Sequence, residues 1–252
     1  MTPLRSLGNP DISPFDDVFC ATGNAYNVPD YESYNKAVDF DGTDDTLWAP
    51  NSADYSFGSG DFTVEGWFAI DQQSSQNGIV GVWKYTANRR SWNIQTDNSS
   101  NGPLEFFVSP DGGNGSLGSA SGGNITVGQW YHFAGVRTGN TLKLFLDGSE
   151  VASSSFSGSL YDNTDDDLHI GSVTNSTDWA NAQISNIRVV KGQALYTSNF
   201  TPSTVPLNAT AGGAIESNVK LLCCNQLTVT GFTTSSGTMT TSGDPTLTTG
   251  PF

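Results

Sequence analysis

Apolar and polar positions alternate with a period of two through the middle of the chain, the pattern of strands with one face turned to a core. Ala37-Val38-Asp39-Phe40 ends at the turn pair Asp41-Gly42, and Phe62, Val64 and Phe68 alternate with Thr63, Glu65 and Trp67. Trp92, Ile94 and Thr96 alternate with Asn93 and Gln95. Leu104, Phe106 and Val108 follow, before a Gly/Ser/Asn loop over 111–124. Trp130, His132, Ala134 and Val136 share one face of a strand, and Leu142, Leu144 and Leu146 share one face of the next. Thr138-Gly139-Asn140 joins these two. Asp147-Gly148 then turns the chain back into Glu150-Val151-Ala152, so three strands form a meander. Leu168-His169-Ile170, Ile184–Val190 and Val219–Cys223 add further strands. No window sustains an apolar stripe at helical spacing. Strands spaced this way, with Gly-rich turns and no crossover helices, predict an all-β antiparallel sandwich. Its expected core is Phe40, Phe62, Val64, Phe68, Trp130, Ala134, Val136, Leu142, Leu144, Leu146 and Ile170.

The ends read differently. Residues 1–33 carry Pro3, Pro10, Pro14 and Pro29 with little alternation, which predicts an extended N-terminal arm suited to wrapping a partner surface. The sandwich is expected over 34–225, and 226–252 form a Ser/Thr/Gly-rich C-terminal extension, either a tail or one or two outer strands.

Composition narrows the function. The chain has 252 residues, with Lys+Arg 10 against Asp+Glu 25 and a formal net charge of −15. Scattered cations give no basic patch to neutralise phosphates, which disfavours nucleic-acid binding. No apolar run is long enough to cross a membrane as a helix, and Met1-Thr2-Pro3-Leu4-Arg5 opens no secretory signal, so no membrane insertion is expected. Cys20, Cys223 and Cys224 leave open a Cys20–Cys223 or Cys20–Cys224 bridge, with three reduced thiols as the simpler reading. Sequons at Asn98, Asn114, Asn124, Asn175, Asn199 and Asn208 follow from Asn/Ser/Thr-rich loops.

Five stretches in order resemble a concanavalin A-like, laminin-G-type jelly roll. They are Ala37–Asp45, Phe62–Phe68, Gly128–Arg137, Leu142–Gly148 and Ile184–Gly192. A narrower resemblance, to structural proteins of tailed bacteriophages, rests on three further stretches. These are Ala194–Pro202, Val219–Cys224, and Gly243-Asp244-Pro245 near Pro251-Phe252. That resemblance implies a virion component, head-decorating or tail-associated, assembled in the host bacterial cytoplasm. Its partners would be other virion proteins, copies of itself and host-surface polysaccharide. The alternative it implies is a glycan-binding receptor-recognition module of a tail fibre.

Candidate chemistry is sparse. His132 shares a face with apolar residues and reads as a core or half-buried histidine, whereas His169 sits opposite Leu168 and Ile170 and is expected to be exposed. Gly118-Ser119-Ala120-Ser121-Gly122 has the wrong centre for a nucleophile elbow. Glycoside hydrolysis needs two carboxylates flanking a bond. Glu stands only at 32, 65, 105, 150 and 216, without the Glu-x-Asp-x-x-Glu or Glu-x-Asp-x-Glu strand of the glucanases. Glu65 and Glu105 are expected to be solvated, and no enzyme is expected. Laminin-G and lectin relatives often bind calcium through loop Asp and Asn oxygens. The resemblance therefore points to the run containing Asp162, Asp165 and Asp166 as metal candidates, with Asp39, Asp41, Asp44 and Asp45 as a second run. Glycan binding needs an aromatic platform beside amides and hydroxyls. Trp179 with Asn175, Asp178 and Asn181, joined by Gln183, forms such a cluster, and Trp67 and Trp92 are alternatives.

Overall fold

The computed structural model describes residues 35–252 except 74–75, 100–101, 175–176, 227, 230–231 and 235–237. The expected arm over 1–33, Cys20 and Asn175 lie outside the described residues. Cys223 and Cys224 are free thiols, both buried.

Two antiparallel sheets pack face to face. The first is nine-stranded. Its path runs β10 (Ser149–Ser155), β9 (Thr141–Leu146), β8 (Trp130–Thr138), β3 (Phe62–Ile70), β14 (Asn181–Lys191), β1 (Lys36–Asp41) and β18 (Thr246–Thr249). β14 is long enough to serve two partners on one edge: its first half pairs β1, and its second half pairs β15 (Val219–Cys223), which in turn pairs β16 (Phe232–Thr234). The second sheet is seven-stranded. It runs β17 (Thr240–Ser242), β2 (Thr46–Ala49), β11 (Leu168–Ile170), β4 (Asn77–Lys84), β5 (Arg89–Thr96), β6 (Pro103–Val108) and β7 (Gly118–Asn124). The segment read as an extension thus supplies strands to both sheets: β17 borders β2 and β18 borders β1.

The core lies between the sheets, where Phe62, Val64, Phe68, Leu142, Leu144 and Leu146 meet Trp92, Ile94, Leu104, Phe106 and Ile170. On β8, however, the inward residues are Tyr131 and Phe133, not Trp130, Ala134 and Val136. The expected core assignment is corrected there. Ala134 and Val136 pack with Phe145 on the outer face, under Ala194, Tyr196 and Phe200. Trp130 joins a second outer cluster around Trp67, Leu207 and Leu222. The period of two was right and the face was not. β8 is covered on both sides, and a strand buried on both faces reads as a nearly continuous apolar run. The cover is the segment over 192–218. It docks where Phe200 N–H donates to Gly148 O at 2.9 Å. Gly148 has φ +75, and a Cβ there would sit 2.0 Å from Phe200 O, so the approach requires glycine.

A small hairpin, β12 (Ser172–Thr174) and β13 (Thr177–Trp179), lies on the outer face of the second sheet. It comes so close to β4 that a Cβ on Gly78 would lie 2.2 Å from Val173 N.

Candidate functional site

The outer face of the second sheet carries polar residues at the positions opposite the core. Asn93 Nδ2 donates to Gln95 Oε1 at 2.7 Å, and Gln95 Nε2 donates to Glu105 Oε2 at 3.0 Å. Asn93 is 0% exposed, and its Oδ1 makes no hydrogen bond among the described residues. Glu105, expected to be solvated, is half-buried, and that burial raises its carboxyl above the usual range. Arg90 packs its guanidinium against the rings of Trp83 and Tyr85, at 6.0 and 5.8 Å from their centroids. Burial raises the Tyr85 phenol, and the Asp178 carboxylate that it meets raises it further.

Beside the hairpin this face sinks into a cavity of about 150 Å³, lined by Trp83, Lys84, Asp165, Asp166, Asp167, His169 and Thr174. His169 is only 7% exposed, a correction to its expected exposure. It sits in β11 between Trp48 of β2 and Gly81 of β4. Burial lowers its pKa against the pull of Asp167 and Asp166, so the ring is held toward the neutral form. Its Nδ1 makes no hydrogen bond among the described residues.

The calcium candidates are engaged by the chain's own cations. Asp166 meets Lys84 Nζ at 3.1 Å and Arg89 at 3.8 Å, and Asp165 meets Arg89 at 3.4 Å. Asp162 accepts from the Ser56 hydroxyl. A dication here would have to displace these partners, so this donor set fits calcium poorly. The second acidic run behaves differently. Asp41 and Asp44 converge with Asp244, their ligand oxygens all within 4.8 Å of one another and exposed, an all-oxygen set of the chemical type a hard cation takes. If Asp166 is a structural anchor, Asp166→Ala is expected to cost about 1–3 kcal/mol, because it leaves Asn163 without its partner carboxylate. Asp165→Ala, at a mostly exposed position, should change stability by under about 0.5 kcal/mol. Urea titration of the two variants checks both.

The glycan candidates divide. Asp178 and Trp179 share the hairpin, and Trp179 Nε1 makes no hydrogen bond among the described residues. Asn181 is turned to the first sheet, where its Nδ2 donates to Asp41 O at 2.9 Å. Trp92 is a core residue whose indole N–H donates to Tyr55 O at 2.9 Å. Trp67 lies on the other sheet. Sequence reading missed Trp83, Tyr85, Asn93 and Thr174. The outward alternation of Asn93 and Gln95 was the one signal available, but it does not say which loop folds over them.

Glu65 was expected to be solvated and is instead 0% exposed. It stands directly opposite Arg188 across the β3–β14 pair and accepts from Arg188 Nε at 2.9 Å. Its Oε2 accepts from the Tyr196 hydroxyl at 2.8 Å and lies 3.3 Å from His132 Nε2. Burial alone would push its carboxyl up. The hydrogen bond with His132 and the charge of Arg188 outweigh that and hold it below the usual carboxylate range. Arg188 Nη1 donates to Asn208 O and Ala211 O at 2.8 and 2.9 Å, which pins the covering segment to the sheet. Glu65 and Glu105 therefore point away from each other, on opposite outer faces of the sandwich. Two sheets that pack about 10 Å apart place such residues too far apart to act as a hydrolytic pair.

These features define a concanavalin A-like jelly roll with a polar cleft on one sheet and a covered polar cluster on the other. The chain belongs to the Laminin_G_3 family, of the concanavalin A-like lectin/glucanases superfamily, whose model matches residues 41–196. Comparison with curated proteins gives no match. Among solved structures, a Bacteroides ovatus protein assigned to carbohydrate binding is similar with a TM-score of 0.62 at 14% identity. The match covers 86% of this chain and 60% of that one, so the chain spans under two thirds of that protein. The heptameric SAP-like pentraxin of Limulus polyphemus is similar with a TM-score of 0.55 at 13% identity, covering 86% of this chain and 96% of that one. At these identities the likeness shows the fold.

Proposed function

We propose that this protein is a non-enzymatic, surface-exposed component of a bacteriophage virion that reads host-surface polysaccharide through the cleft on its second sheet. The observation that carries the reading is the cavity itself, walled by Trp83, His169 and Thr174 and rimmed by the carboxylates of Asp165, Asp166 and Asp167. Sugar hydroxyls that enter the cavity can donate to the carboxylates on its rim. Tyr85, exposed and next in sequence to Lys84 of the cavity lining, offers a ring to the C–H face of a pyranose. The carbohydrate binding assigned to the Bacteroides ovatus structure supports the same reading by analogy of fold. The scattered glutamates support the absence of hydrolysis. The arm over 1–33 would dock onto neighbouring virion proteins or copies of the chain.

The test is an array of bacterial surface glycans followed by calorimetric titration of the hits. His169→Ala and Tyr85→Ala are each expected to weaken binding at least tenfold, about 1.4 kcal/mol, with no release of reducing ends. Unchanged affinity in both variants would remove the cleft from consideration. Antibody labelling of purified particles tests the virion assignment, and failure to label them would refute it.

A further inference from the structure

The outer face of the first sheet holds a larger cavity, about 350 Å³, on the opposite side of the sandwich from the cleft. Trp67, Trp130 and Phe252 form its apolar walls, and His132, Asp147 and Thr204 supply polar groups. Trp67 and His132 stand directly opposite each other on β3 and β8, and the edge-on Trp67 ring is 4.4 Å from the imidazole and 5.2 Å from Phe252.

The hydrogen-bonding sense of this cavity follows from the buried cluster behind it. Glu65, ionised beside Arg188, can only accept. Its Oε2 therefore takes a proton from His132 Nε2, 3.3 Å away, which fixes the orientation of the ring. His132 is 1% exposed, and Nδ1 has no partner among the described residues. Asp147 is locked to the same residue. Its Oδ1 accepts from His132 N–H at 2.8 Å and its own N–H donates to His132 O at 2.8 Å. Asp147 itself is exposed, and its second oxygen makes no hydrogen bond among the described residues. The cavity thus offers one open acceptor, the charged carboxylate of Asp147, beneath three aromatic rings. No Lys or Arg lines it.

A neutral sugar would satisfy the rings but not the charge, and an acidic sugar would be repelled by Asp147 in a chain of net charge −15. A ring that presents an ammonium satisfies all of it. Its N–H donors make charge-assisted bonds to Asp147, its charge is drawn to the indole faces, and its C–H face packs on them. We propose that this cavity binds a protonated amino sugar, as a second glycan site independent of the cleft.

The test is calorimetric titration of the full chain with the β-1,4 tetramer of glucosamine, its fully N-acetylated counterpart, cellotetraose and Nα-acetyllysine amide. The glucosamine tetramer is expected to bind at least tenfold more tightly than the other three. Asp147→Asn keeps an oxygen for the His132 amide while removing the charge, and Trp130→Ala removes a half-exposed ring. Each should weaken the glucosamine tetramer at least tenfold with little change in melting temperature. His169→Ala, on the opposite sheet, should leave this binding unchanged, so failure of the cleft and failure of this site are separable. Equal binding of the acetylated tetramer would overturn the role of the ammonium. Equal binding of the lysine derivative would overturn the sugar. Unaltered affinity in both Asp147→Asn and Trp130→Ala would overturn the site.

Discussion

Arg188→Met is expected to lower the free energy of unfolding by about 3–5 kcal/mol, the largest effect of any single substitution considered for this protein. The guanidinium is fully buried and is the cation that keeps Glu65 charged inside the sheet cover. Removing it leaves a buried carboxylate with only the Tyr196 hydroxyl and His132 as partners, and it frees the carbonyls of Asn208 and Ala211. The double variant Glu65→Leu with Arg188→Met should recover most of the loss, because replacing a buried ion pair whole is far cheaper than breaking it. The wild-type pair also predicts a pH dependence. Glu65 is held below the usual carboxylate range, so its contribution is complete above the unfolded-state value and is lost as the pH falls through the lower folded-state value. Urea titrations across the acid range should show that loss in the wild type and not in the double variant. A loss below about 1 kcal/mol in Arg188→Met at neutral pH would mean that the cluster is hydrated and the cover is not held by it.

Leu144→Ala should cost about 2–5 kcal/mol. Leu144 lies in β9 with its side chain in the inter-sheet core, on the face shared with Leu142 and Leu146 and opposite Gly135 of β8. Alanine leaves a void that two close-packed sheets cannot collapse to fill. Denaturant titration with an unchanged m-value gives the measurement. A cost under about 0.5 kcal/mol would place Leu144 on the wrong face and shift the whole meander by one residue.

The meander was readable because its information is local. Asp147-Gly148 needs positive φ at both residues, and both have it, at 48 and 75 degrees. β9 places Leu142, Leu144 and Leu146 on the core side and Thr141, Lys143 and Phe145 on the other, so two of its three outward positions are polar and its inward face is clear. β8 has no such contrast. Tyr131 and Phe133 alternate with Trp130, His132 and Ala134, and either face is apolar enough to be the inner one. The choice falls to Arg188 and the segment over 192–218, which lie far away in sequence and carry no strand-like period.

The same limit explains the candidate sites. Asp178 and Trp179 were found because they are neighbours in sequence. Their place above Trp83, Tyr85 and Asn93 depends on Gly78 letting a hairpin settle on β4. Asp165 and Asp166 read as free ligands because Lys84 and Arg89, their counterions, lie about eighty residues earlier. Glu65 read as solvated because its place on one face with Thr63 and Trp67 says only that it faces out of the core, and its burial is imposed by a chain segment whose Tyr196 arrives 131 residues later. By itself, then, the sequence determined the strands, their turns and the sandwich, since period-two alternation and turn chemistry act within a few residues. Only the tertiary structure decided which outer faces are covered, which charges are paired and where cavities open, because those depend on the energy of contacts between segments that no local pattern records.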